Sequence, residues 1–191
     1  MERGLVYLVR HTSPDIASSV CYGQSDIDVA ANFPEELALI KHKLAEIKPA
    51  ICFTSPSLRC TKLAQALNSG AVIEDKRLME LDFGDWELRP WDTIPRDAFD
   101  HWAHDHVNQA PPNGETFNQL HQRATQFLME VNANSAQAPI VVVTHGGVIR
   151  ALLAEALGLT LMNVFRIQID YCSVTQLLLD EQVTRVGYVN R

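Results

Sequence analysis

The chain has 191 residues, 47% of them hydrophobic, and a formal net charge of −7. That suits one domain with a real core, and it disfavours general binding to nucleic acid or anionic membranes, whose phosphates an acidic protein repels. It still allows a local pocket in which a few Arg and His side chains converge on a single phosphate. No apolar run approaches the ~20 residues of a membrane span. Leu5–Val9 is too short for the ~7–15 residue apolar region of a signal peptide. A cytoplasmic protein is expected, with Cys21, Cys52, Cys60 and Cys172 as reduced thiols, since no two of them show Cys-x-x-Cys spacing.

In chain order, Leu5–Val9 reads as a short buried strand ending at Arg10-His11-Thr12-Ser13-Pro14, where proline stops regular structure. A loop follows to Asn32. Pro34 starts a helix whose apolar face carries Leu37, Leu39, Ile40, Leu44 and Ile47. Ala50–Thr54 is a second buried strand. Ser55-Pro56-Ser57 caps a helix to about Leu67, and Val72–Ile73 is a further short strand. From about 85 to 113 the pattern weakens: all three tryptophans, prolines and a His/Asp cluster mark an irregular or partly helical insertion in an otherwise single domain. Thr116 opens a long helix to about Val131. Ile140–Thr144 is the clearest buried strand, followed by His145-Gly146-Gly147 and the helix Val148–Leu157, closed by Gly158. Ser173–Leu179 and Gln182–Tyr188 are two last strands around Asp180-Glu181. Strands alternating with helices predict an α/β sandwich with a mostly parallel sheet. Ligands of such sheets bind beyond the carboxyl ends of the strands. Arg10-His11 and His145-Gly146 both fall there, and Arg59 lies in the helix after a third strand.

These residues suit phosphoryl transfer. A phosphomonoester carries close to two negative charges, and the planar guanidinium fork of Arg10 or Arg59 gives it paired, charge-assisted hydrogen bonds. A neutral imidazole is a competent nucleophile near pH 7, and His11 sits beside Arg10. His145 is placed to donate to the phosphoryl oxygens, with the bare backbone of Gly146 and Gly147 and a helix N-terminus behind it. Glu80, between apolar neighbours, is the candidate proton donor to the leaving oxygen; Asp82 and Glu87 are alternatives.

Leu-Val-Arg-His at 8–11 resembles the Arg-His-Gly signature of the histidine phosphatase, or phosphoglycerate mutase-like, superfamily. Thr54–Thr61 is similar to its Ser-Ser-Pro-x-x-Arg-x-x-x-Thr motif, without the later Thr. Leu78–Glu87 resembles Glu-x-x-(Phe/Tyr)-Gly-x-Trp-Glu-Gly, Pro112–Thr116 resembles Pro-x-Gly-Glu-Ser, and Val143–Arg150 is close to the last motif. Five motifs in the family's order span residues 5 to about 157. The resemblance implies a three-layer α/β/α fold, a phosphohistidine at His11, a phosphate pocket of Arg10, Arg59 and His145, Glu80 as proton donor, and neither metal nor cofactor. The segment Cys21-Tyr22-Gly23-Gln24-Ser25-Asp26 is most similar to the α-ribazole phosphatase branch, which dephosphorylates α-ribazole 5′-phosphate in cobalamin nucleotide-loop assembly. That places Gly23 and Gln24 with the substrate-binding residues, beside Gly146, whose bare backbone lets its amide approach the phosphoryl oxygens.

Other readings stay open: a broad-specificity sugar or nucleotide phosphatase, a phosphotransferase or mutase, and a non-catalytic phosphoester-binding module. In each the partner is a small phosphate ester. Thr12 stands where the signature has Gly and brings a side chain to the pocket rim. Leu88 stands where Gly follows Trp-Glu. Arg150 is expected to pair with an acidic neighbour. His101, His104, Asp105 and His106 do not share one helical face, so no metal is expected there. Trp86, Trp91, Phe99 and Trp102 are read as lid or core packing near the pocket mouth, where one ring is a stacking surface.

Overall fold

A computed structural model describes residues 4–49, 51–67, 70–134, 139–180 and 182–191. Its strands are β1 (Gly4–Arg10), β2 (Ile51–Thr54), β3 (Ala71–Glu74), β4 (Ile140–Thr144), β5 (Val174–Leu179) and β6 (Arg185–Tyr188). Its α-helices are α1 (Phe33–Lys43), α2 (Leu58–Ala66), α3 (Arg96–His104), α4 (Phe117–Asn134) and α5 (Gly146–Leu157).

The strands form one sheet in the order β3-β2-β4-β1-β5-β6. The β3-β2, β2-β4 and β4-β1 pairs are parallel, and β5 is antiparallel to both β1 and β6. Alternation along the strands separates two cores. Val6, Leu8 and Val142 face α4 and α5, packing with Phe127, Leu120 and Leu152. Tyr7, Val9, Val141 and Val143 face the other way, onto Ile40, Leu63 and Ala64 of α1 and α2. β4 is buried along its whole length, as a central parallel strand covered on both faces should be. The result is a mostly parallel α/β/α sandwich, as the resemblance implies.

The element bounds differ from expectation in instructive ways. α1 ends at Lys43 rather than near Ile47, and Leu39 is exposed, so the apolar stripe runs through Ile40 and Leu44 instead. Ser57 holds the N-cap position of α2 but makes no side-chain cap. The Leu58 N–H is taken by Asp26, brought from the 21–26 segment, at 2.7 Å. Thr116 and Gln119 cap α4 reciprocally, at 3.1 and 2.8 Å. α5 begins two residues earlier than expected, at Gly146, and Gly158 ends it at φ +63°. Ser173 precedes β5 rather than opening it, and β6 begins at Arg185 rather than Gln182. Ala50 and Glu181 lie outside the described residues.

Within 85–113 lie two short 3₁₀ turns and α3. The aromatic rings there pack mainly on one another. Trp86 and Trp102 meet edge to face with centroids 5.7 Å apart, and Phe83 and Trp91 likewise at 5.4 Å. Trp86 and Ile94 are buried with Cys21 in this separate small core. An unforeseen 3₁₀ stretch, Leu161–Arg166, follows α5 and leads the chain back to β5.

Candidate active site

The carboxyl ends of β1, β2 and β4 lie side by side, with Arg10 opposite Thr144 and Thr54 opposite Val143. His11, one residue beyond β1, is held by its own N–H on the Thr144 carbonyl at 3.0 Å. Its Nδ1 lies 2.7 Å from the Thr12 carbonyl. A carbonyl only accepts, so Nδ1 carries the proton and Nε2 keeps the lone pair. Burial, then the charges of Arg59 and Arg10, hold the His11 pKa well below its ordinary value. The ring is therefore neutral, with an available nucleophilic nitrogen.

Arg59 is fully buried in the first turn of α2. It donates to the Ser25 carbonyl at 2.9 Å and the Gly23 carbonyl at 2.7 Å. Arg10 donates to the Ile169 carbonyl at 2.5 Å. Both arginines lie over tyrosine rings, Arg10 at 3.9 Å from Tyr171 and Arg59 at 5.1 Å from Tyr22. The two tyrosine hydroxyls share a 2.8 Å hydrogen bond. The Nε–H groups of both arginines and the Thr12 hydroxyl are buried without a hydrogen-bond partner among the described residues. Buried donors are seldom left so. Unpaired donors of this kind suit an anion, and Thr12 adds a polar atom next to His11.

His145, at the N-terminus of α5, is fully buried and lies 5.0 Å from His11 between ring centroids. Its Nδ1 faces Arg59 Nη2 at 3.2 Å, and its Nε2 faces the Ser55 hydroxyl at 2.8 Å. A guanidinium only donates, so in this arrangement Nδ1 accepts and Nε2–H donates to Ser55. Burial and Arg59 lower the His145 pKa, which keeps the ring neutral. In this tautomer neither ring nitrogen has a free N–H for a phosphoryl oxygen, so the expected donation requires a change of tautomer or of partner at His145.

Glu80 accepts from the Leu81 N–H at 2.9 Å and the Gly147 N–H at 3.1 Å. A Cβ at residue 147 would collide with its carboxylate. Arg123 of α4 fixes the chain behind it, donating to the Met79 carbonyl at 2.6 Å and the Glu80 carbonyl at 2.9 Å. Arg123 is itself paired with Glu115. Glu87 binds the N–H groups of Gln24 at 2.7 Å, Ser25 at 2.6 Å and Phe83 at 3.1 Å. Those bonds commit Glu87 to shaping the 23–25 loop and take it out of contention as the acid. Gln24 also donates to the Glu80 carbonyl at 3.0 Å. Gly23, at φ +37°, has no room for a Cβ between Glu87 and the Leu81 carbonyl.

Arg10, His11, Gly23, Gln24, Arg59, Glu80, His145 and Gly146 are thus brought together. Ser55, Tyr171, Glu115 and Arg123 were not singled out from the sequence. Glu115 and Ser55 carried a signal, as parts of the Pro112–Thr116 and Thr54–Thr61 motifs. Among the described residues Arg150 pairs with no carboxylate: its Nε donates to the Ile167 carbonyl at 2.9 Å. His106 is buried among Phe117, Phe165 and Trp102, whereas His101 and His104 are exposed.

Comparison with known proteins gives the family and the fold. A model of the histidine phosphatase superfamily (branch 1) matches residues 6–191. A protein of Hydrogenobacter thermophilus, provisionally named phosphoserine phosphatase 2, is 25% identical over 97% of this chain and 95% of its own. The adenosylcobalamin/α-ribazole phosphatase of Escherichia coli K12 is 28% identical over 58% of this chain and 61% of its own. Among solved structures, a mycobacterial glucosyl-3-phosphoglycerate phosphatase in complex with VO3 superposes with a TM-score of 0.85. It is 26% identical and covers 97% of this chain and 98% of its own.

Proposed function

The chain belongs to the histidine phosphatase superfamily, and from that premise we propose that it is a metal-independent phosphomonoesterase with His11 as covalent nucleophile. The observation that carries the proposal is a neutral His11 with an open Nε2, beside two arginines whose buried Nε–H groups have no protein partner among the described residues. Arg10 and Arg59 bind the phosphoryl oxygens. His11 Nε2 attacks phosphorus in line, and the bond to the ester oxygen breaks as the protonated Glu80 carboxyl gives that oxygen its proton. Water then attacks the phosphohistidine, gives a proton to the Glu80 carboxylate, and releases inorganic phosphate and free His11. Fixed cationic donors around the transferring group stabilise the transition state by a few kcal/mol each.

Two leaving groups have specific support. The 21–26 segment, whose Gly23 carbonyl meets Arg59 and whose Gln24 side chain meets Glu80, resembles the α-ribazole phosphatase branch. The phosphoserine phosphatase likeness covers nearly the whole chain. A cytoplasmic setting fits the four buried free cysteines.

The test is phosphate release with EDTA present from α-ribazole 5′-phosphate, phosphoserine and p-nitrophenyl phosphate, for wild type and His11→Ala. The expected result is EDTA-resistant turnover and an acid-labile phosphoryl-protein in the wild type, both lost in His11→Ala. Turnover surviving in His11→Ala overturns the covalent mechanism. Binding of all three esters without turnover favours the non-catalytic module, and preferential transfer to an added alcohol favours a phosphotransferase.

A further inference from the structure

Arg150 stands on the second turn of α5 with its Nε fixed on the Ile167 carbonyl and its guanidinium carbon 5.6 Å from the Phe165 ring centroid. Its Nη1 and Nη2 make no hydrogen bond or ion pair among the described residues. Both remain reached by solvent, since neither is among the buried polar atoms left without partners. The group borders the reaction centre. A Cβ placed on Gly146 would lie 2.9 Å from Arg150 Nη1 and 3.5 Å from Arg10 Cζ, while one on Gly147 would strike the Glu80 carboxylate. The bare start of α5 thus gathers two guanidinium groups and the candidate acid, and the charges of Glu80 and Arg10 both act on Arg150.

Arg10 is committed to the phosphoryl group. Arg150 lies within electrostatic reach of Glu80, from which the leaving oxygen takes its proton. We infer that Arg150 binds a carboxylate on the leaving alcohol, so that the preferred substrates are phosphate monoesters of hydroxy acids. The inference rests on the phosphohistidine reading and chooses among its leaving groups. With Nε occupied, Nη1 and Nη2 present two parallel donors that match the two oxygens of one carboxylate. A second phosphate group would bring twice the charge against Glu80, whereas a single carboxylate brings half of that repulsion.

The experiment measures kcat/KM on matched pairs that differ in the carboxylate: phosphoserine against phosphoethanolamine, and 3-phosphoglycerate against glycerol 3-phosphate. Wild type should prefer the acid of each pair by about tenfold or more, because the alternative leaves the fork unpaired. Arg150→Gln should bring the ratio to within about threefold of unity, and Arg150→Lys should fall between, having the charge without the fork. Each ratio comes from one preparation, so partial misfolding of a variant cancels. A wild-type ratio near one, a high ratio unmoved in both variants, or α-ribazole 5′-phosphate (whose leaving alcohol is uncharged) outrunning phosphoserine would overturn the assignment while the phosphatase reading stands. No turnover of either pair or of p-nitrophenyl phosphate by the wild type would overturn both.

Discussion

Leu88 holds a backbone conformation that L side chains adopt at a cost, with φ +61°, and its N–H closes onto the Cys21 carbonyl at 2.7 Å. The loop after Glu87 therefore closes without the glycine that the family motif carries. The left-handed conformation costs a non-glycine residue about 1–2 kcal/mol, and glycine gives back about 0.5–1 kcal/mol through its freer unfolded state. Leu88 is 59% exposed, so little packing is lost on its removal. Leu88→Gly should raise the unfolding free energy by about 0.5–1 kcal/mol, seen as a higher urea midpoint at unchanged slope. A lower midpoint would mean that the leucine side chain makes contacts worth more than the strain. At this scale Arg10, His11, Arg59 and His145 were readable because they sit at or just after apolar strands, and Glu80 because it lies between apolar neighbours in a motif. Their supports were not. Ser55 bonds His145 and Arg123 holds the Glu80 backbone, contacts across 90 and 43 positions that no local pattern encodes. The role of Arg150 was misjudged for the same reason: its partner is a distant carbonyl.

The N-terminus of α5 concentrates the site's constraints. His145 holds its N-cap position, Gly146 admits Arg150 and Arg10, and the Gly147 N–H binds Glu80. Because a methyl group at residue 147 would occupy the place of the Glu80 carboxylate, Gly147→Ala should displace the acid. The expected loss in kcat is about 100-fold, in line with removal of a general acid, for esters with poor leaving groups. Esters of acidic phenols, which need less protonation, should be affected less. An equal loss on both would point to damage of the phosphate cradle instead. β4 and the body of α5 were legible from their unbroken apolar runs. α3 and the 161–166 stretch were not placed, since short segments packed by aromatic rings carry no clear period.

Across the whole molecule, the site occupies the carboxyl ends of the central strands between two separate cores, and its neutral histidines tie global stability to pH. An unfolded histidine titrates near pH 6.5, whereas folded His11 and His145 do so well below. Below about pH 6.5 the unfolded chain binds protons that the folded one refuses. Stability is then fully present above that pH and falls as the pH drops, by up to about 1.4 kcal/mol per unit for each histidine. Urea titrations from about pH 7.5 to about pH 5 should show this decline, and a shallower one in His11→Asn. Identical slopes would mean that the His11 ring titrates normally.

The strand order has a consequence for synthesis. β1 leaves the ribosome first, yet its two neighbours are β4 and β5, so its edges stay unpaired until residues 140–179 have emerged. At roughly 5–20 residues per second that delay is on the order of 10 s. Through it the nascent chain carries an uncovered Leu-Val-Tyr-Leu-Val segment at 5–9, a natural target for a holding chaperone and the place where crowded or truncated copies would first stick together.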